Sequence, residues 1–248
     1  MKRIIVFGCL SVVVFLAGFT LADDAVAARR VETRQVRKQA LQELNDLIGN
    51  WRGTGEPNGT REEKQRNFWQ EAIAWEWCFK DKDIFLRAAF DKSKHFTAAE
   101  LRYLPDKQRY QLSATTPDKQ KLVFEGTLDK KRLTLERSDD KKKETQRLVL
   151  MLLHFNRHVY RYEVKPADRV AFREIYRVGA TKEGVEFAGD DDKPECVVSG
   201  GLGTMPVTYK GKTYYVCCSG CRDAFQDEPE KYIKEFEARK KAKTSRKR

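Results

Sequence analysis

Long apolar runs are nearly missing from this chain. One uncharged stretch, Ile4 to Leu21, lies at the very start, and nothing comparable follows. A polytopic membrane protein needs several runs of roughly 20 apolar residues, so that class is excluded. Cysteine is scarce too, with six in 248 residues and four of those between positions 196 and 221. So few at this length exclude a cysteine-stapled mini-protein. No neighbouring Cys-His pair and no Ser-His-Asp set can be read, so the chain carries no hydrolase signature. The stretch Gly200-Gly201-Leu202-Gly203 lacks the lysine and the strand–helix order of a phosphate loop. Disorder over the whole length is excluded by what is plentiful: four Trp, fourteen Phe and nine Tyr supply core area despite 35% charged residues.

The start of the chain reads as an export signal. Met1-Lys2-Arg3 is basic, the apolar run follows, and Ala25-Val26-Ala27 gives small residues suited to a signal peptidase. Residues 1–27 are therefore expected to be removed after Ala27, with cleavage after Ala22 or an uncleaved anchor as alternatives. Cys9 precedes most of the apolar run and is poorly placed for lipid attachment. The rest is strongly basic, with a formal net charge of +12. Much of that sits in a terminal tail, residues 237–248, from which disorder is expected. In an exported protein such a tail suits an anionic envelope surface, or simple solubility, better than nucleic acid.

Residues 31–48 carry apolar side chains at Val36, Ala40, Leu41, Leu44, Leu47 and Ile48, which is helical spacing, and Gly49 is placed to close that helix. The period then changes to two. Ile73, Trp75, Trp77 and Phe79 alternate with Ala74, Glu76 and Cys78, and short segments of the same character recur as far as Val178. Turn residues such as Pro105-Asp106, Pro117-Asp118 and the charge run Ser138–Glu144 separate them. With no crossover helices between, this predicts an antiparallel up-and-down barrel over residues 31–188. Leu47-Ile48-Gly49-Asn50-Trp51-Arg52-Gly53 resembles the Gly-x-Trp of lipocalin-like (calycin) barrels. That resemblance implies a tryptophan across the closed end and an interior that could hold an apolar small molecule. Trp75 and Trp77 are the candidate ligand-lining residues; the other reading makes them core. His154 and His158 read as one strand with Asn156 between, about 13 Å apart and too far for one metal. His95 has no evident partner, and Cys78 reads as a packing residue.

The sharpest chemistry is near the C-terminus. Residues 189–194, Gly-Asp-Asp-Asp-Lys-Pro, read as a linker. Cys196 then precedes Cys217-Cys218-Ser219-Gly220-Cys221 by twenty intervening residues. Val207–Tyr209 and Thr213–Val216 around Lys210-Gly211 predict a hairpin, and a helix is expected to begin near Cys221. A hairpin brings Cys196 back beside the later thiols. Thiols at a helix N-terminus are biased toward thiolate, which binds Zn(II) or Cu(I) rather than Mg or Ca. Paired disulfides, Cys218–Cys221 or Cys196–Cys217, are the alternative that export favours. Tyr214 and Tyr215 are expected in the hairpin core.

Within a module expected over residues 195–236, residues 195–233 resemble the TRASH/YHS family of metal-binding modules, in the lone Cys, the Cys-x-x-x-Cys, the hairpin Tyr209, Gly211, Lys212, Tyr214 and Tyr215, and the ending Phe225…Pro229-Glu230-Lys231-Tyr232. The resemblance implies a zinc-finger-like fold with Cys196, Cys217 and Cys221 as ligands. Val197 stands where the family often has proline, and the module contains no histidine, which leaves Cys218 as the nearest candidate for a fourth ligand. Adjacent cysteines are expected to point apart, so Cys218 could instead be free. The fold class expected is mainly β: a helix and an antiparallel barrel, then a small α+β cysteine module. The function expected is metal binding in the cell envelope or outside it, without catalysis. The alternatives are a lipocalin-like carrier with a purely structural metal, and an enzyme drawing on Asp190–Asp192 or Glu195.

Overall fold

The computed structural model describes residues 31–80, 83–184 and 194–246. The expected leader, residues 1–27, lies outside them, as do Asp190–Asp192 and all of the linker but Pro194. Among the described residues no helix is long and apolar enough to cross a membrane.

Ten strands close into one antiparallel barrel: β1 (Gly49–Pro57), β2 (Trp69–Lys80), β3 (Asp83–Asp91), β4 (Ala98–Leu104), β5 (Arg109–Thr115), β6 (Lys121–Asp129), β7 (Arg132–Asp139), β8 (Glu144–His154), β9 (Arg157–Pro166) and β10 (Arg173–Lys182). Each pairs with its sequence neighbours, and β10 completes the ring against β1. Alternation sets the inward face. In β2, Glu71, Ile73, Trp75 and Trp77 are buried while Gln70, Ala72 and Ala74 are exposed. The connection from β1 to β2 holds a short helix, α2 (Arg61–Asn67), opened by a capping box between Thr60 and Glu63.

The N-terminal helix, α1, spans 31–42 and is shorter than its apolar spacing suggests. A 3-10 turn over Asn45–Leu47 follows, and Ile48 is already extended. Gly49 opens β1 rather than closing the helix, at φ 127°, where a side chain would be strained. Leu41, Leu44 and Leu47 are fully buried, and the Tyr110 hydroxyl donates to the Ala40 carbonyl at 2.8 Å. The helix thus covers one end of the barrel. Trp51, the tryptophan of the Gly-x-Trp stretch, is buried at that end and donates its indole N–H to Leu47 O at 2.7 Å.

The C-terminal part is a hairpin, β11 (Met205–Tyr209) and β12 (Lys212–Val216), then α3 (Ser219–Asp227) and α4 (Pro229–Arg246). Lys210 and Gly211 both have positive φ, the backbone a two-residue type I′ turn requires. This part is packed onto the barrel and the N-terminal helix. Its buried Cys196, Val198, Cys221 and Phe225 belong to the same continuous core as Leu41 and Trp77. Two expectations fail here. Tyr215 is on the outer face of the hairpin, 36% exposed, whereas Tyr214 packs on Phe225. The basic tail is not disordered within the described residues: α4 continues to Arg246. Lysine, arginine and alanine are strong helix formers, and the four-residue spacing sets Arg239 and Lys243 on one face. They reach Glu195 at 3.2 and 2.6 Å, and Arg239 also donates to the carbonyls of Cys196 and Val197.

Candidate metal centre

The segment 194–203 folds back on itself, Glu195 bridging to Leu202. Cys196 N–H donates to Gly201 O at 2.7 Å, and Val197 N–H to Tyr215 O at 2.8 Å. A parallel bridge between Cys196 and Tyr215 lays the first cysteine beside β12, which ends one residue before Cys217. Cys218, extended, is the N-cap of α3, and Cys221 lies in the first turn. The helix therefore starts slightly earlier than the sequence suggested, and the chain delivers three sulfurs to one point.

Those sulfurs, of Cys196, Cys217 and Cys221, all lie within 4.8 Å of one another. Cys217 and Cys221 Sγ are 3.5 Å apart. Sulfurs sharing one zinc at about 2.3 Å each stand roughly 3.8 Å apart, so a soft or borderline ion fits the group. None of the five described cysteines is in a disulfide. Cys218 does not point away from Cys217, as adjacent residues were expected to do; their sulfurs are 3.9 Å apart. Cys218 Sγ also accepts the Trp77 N–H at 3.3 Å and stays outside the three-sulfur group.

Polar groups around the sulfurs favour thiolate. Ser199 N–H donates to Cys196 Sγ at 3.4 Å, and Ser199 Oγ lies 3.4 Å from Cys217 Sγ. Burial pushes the Cys196 thiol up, but hydrogen bonds from Cys217, Cys221 and Ser199 outweigh it and hold the group well below its ordinary value. Cys218 is held down at about 4 by hydrogen bonds from Cys217 and Cys221, against the upward push of burial. Cys217, which donates to Cys196 and Cys218, is raised, and Cys221 is raised chiefly by burial. A cation bound by these sulfurs displaces their thiol protons. Glu195, a candidate base in sequence, is committed to Arg239 and Lys243.

The candidate ligand-lining tryptophans separate. Trp75 faces an apolar space of about 50 Å³ inside the barrel, walled also by Ile73, Phe96, Leu135 and His158. Trp77 is not on that wall; it stacks on Phe79 and donates its indole N–H to Asn45 at 3.1 Å. Sites for drug-sized ligands run to roughly 300 Å³ or more, so the barrel interior is largely filled core. Cys78 sits on the outer side, half-buried, its thiol pushed up to about 11 by burial.

The histidines are also rearranged. His154 ends β8 and His158 lies in β9, so they flank a hairpin tip rather than sharing one strand. Phe155 and Asn156 form that tip, which neither Gly nor Pro marks. His95 stacks on Tyr176 at 3.8 Å between centroids. His158 is 1% exposed, packed edge-on against Trp51, and its two ring nitrogens have no hydrogen-bond partner among the described residues. Burial, with the Lys182 charge second, lowers its pKa to about 3. The folded pKa lies below the unfolded one, so this group's contribution is complete above about pH 6.5 and is lost as pH falls toward 3. Urea unfolding at pH 7 and pH 4 is expected to show wild type losing about 3 kcal/mol more than His158→Gln across that interval. Equal losses would remove the assignment.

The family model for the YHS domain matches residues 205–235, which take in Cys217, Cys218 and Cys221 and stop short of Cys196. Among solved structures, the chain is similar to an S-type phycobiliprotein lyase CPES from Guillardia theta. The two share 9% identity at a TM-score of 0.40, over 59% of this chain and 94% of that one. Comparison with curated proteins gives no match.

Proposed function

We propose that this is an exported metal-handling protein, in which Cys196, Cys217 and Cys221 hold Zn(II) or Cu(I) as cargo and the barrel serves as scaffold. The observation that carries the reading is the convergence of those three sulfurs within 4.8 Å, Cys196 being separated from the Cys217–Cys221 pair by twenty intervening residues. The match of residues 205–235 to the YHS domain supports it. Sulfur preference supports the choice of Zn(II) or Cu(I): three thiolates suit soft and borderline cations and not oxygen-seeking ones. The cell envelope or the outside is the compartment this reading assigns, on the basic, apolar and small-residue order of residues 1–27. Binding rather than catalysis is supported by Glu195, the nearest described acid in sequence, being paired with two cations instead of facing the sulfurs. The small interior of the barrel weighs against the carrier reading.

The test is elemental analysis of the purified protein, paired with thiol counting before and after a chelator. One Zn or Cu per chain is expected, with three thiols that become reactive only once the ion is removed. A metal-free protein with disulfides in their place would overturn the reading.

A further inference from the structure

The sulfurs differ in what they reach. Cys196 and Cys221 are fully covered, at 0% exposure. Cys217 and Cys218 instead form part of the wall of a cleft of about 490 Å³ between the β1–β2 edge of the barrel and the cysteine module. Met205 lines the same cleft and adds a thioether, a soft ligand type, to that wall. Any ion arriving from outside meets this pair before it meets the covered pair. Cys217 belongs to both groups: it is 3.9 Å from Cys218 and 3.5 Å from Cys221. Cys218 is set apart from the three-sulfur group by its hydrogen bond from Trp77 N–H, a fixed group of β2.

We propose that Cys218 is the capture ligand of the metal centre: Cys217 and Cys218 take the ion at the cleft wall, and Cys196 and Cys221 then close on it while Cys217 keeps hold. The inference rests on the metal-binding reading and gives Cys218 a role that reading does not use. The exchange balances simply. One sulfur–metal bond, to Cys218, breaks as bonds to Cys196 and Cys221 form. The thiol protons displaced leave to solvent, the ion keeps its charge, and no electron is transferred. Cys218 then returns to accepting the Trp77 N–H alone.

The experiment follows loading with Zn(II) alone, and removal by a chromogenic chelator, in stopped flow, with equilibrium affinity measured separately. Wild type, Cys218→Ser and Cys218→Ala are compared, and far-UV circular dichroism checks that each is folded. Both variants are expected to load and release at least about tenfold more slowly at unchanged affinity. Loading at the wild-type rate overturns the capture role. Affinity lost to the extent seen for Cys217→Ser also overturns it, since Cys218 is then a permanent ligand. A wild-type protein that takes up no ion overturns the metal reading itself, which keeps the two failures distinct.

Discussion

Cys217→Ser is expected to lose metal binding while the barrel stays folded. Cys217 Sγ lies 3.5 Å from Cys221 Sγ, 3.9 Å from Cys218 Sγ and 3.4 Å from Ser199 Oγ. Serine keeps the shape but supplies a hard, mostly protonated oxygen in place of a thiolate. With three sulfurs dividing the binding energy, removing one costs on the order of 4 kcal/mol, about a thousandfold in affinity. Competition against a chelator of known affinity reads this directly. Cys78→Ser is the matched control, because Cys78 lies on the barrel's outer side and outside the three-sulfur group. Equal losses in the two variants, or none in Cys217→Ser, would remove the ligand assignment.

The reason the cluster was legible in sequence is that its geometry is local. The turn Lys210-Gly211 fixes the hairpin, the hairpin fixes which residue of β12 lies beside Cys196, and the start of α3 fixes Cys221. The barrel was legible for the same reason, since period-two alternation and turn residues are properties of neighbours. What was missed depends on contacts between distant segments. The tail reads as a solvated charge run until Glu195 is brought within reach of Arg239 and Lys243. The stretch from His154 to His158 hid a hairpin tip, because it holds neither Gly nor Pro to mark the turn. Trp75 and Trp77 occupy the same face of one strand, yet a cavity wall and a helix-packing site divide them, and no periodicity distinguishes those. One missed element did have a signal: Thr60-Arg61-Glu62-Glu63 is the capping-box pattern that opens α2. The seating of the module on β2 had none.

That seating makes Gly220 the position where a single methyl group should do most damage. Strand β1 pairs with β2 only from Trp69 to Trp75. Beyond that point the edge of β2 is open on the β1 side, and the start of α3 covers it. Trp77 N–H goes to Cys218 Sγ at 3.3 Å, and Ser219 Oγ donates to Glu76 at 2.5 Å. Between them Gly220 lies against the strand itself. A Cβ there would stand 1.7 Å from the Trp77 carbonyl oxygen and 2.8 Å from its carbon. Backbone in a closed barrel cannot swing aside as a flexible side chain can, so the helix must move and both hydrogen bonds go with it. Gly220→Ala is expected to destabilise the protein by on the order of 3 kcal/mol and to lower metal affinity, because Cys221 moves with α3. The sign is what makes the test sharp. An undocked helix would gain from the same change, since alanine is favoured over glycine in a helix by about 1 kcal/mol. Chemical unfolding of the two proteins therefore distinguishes a module seated on β2 from one merely tethered beside it. A Gly220→Ala protein more stable than wild type would mean that the contact does not exist in solution.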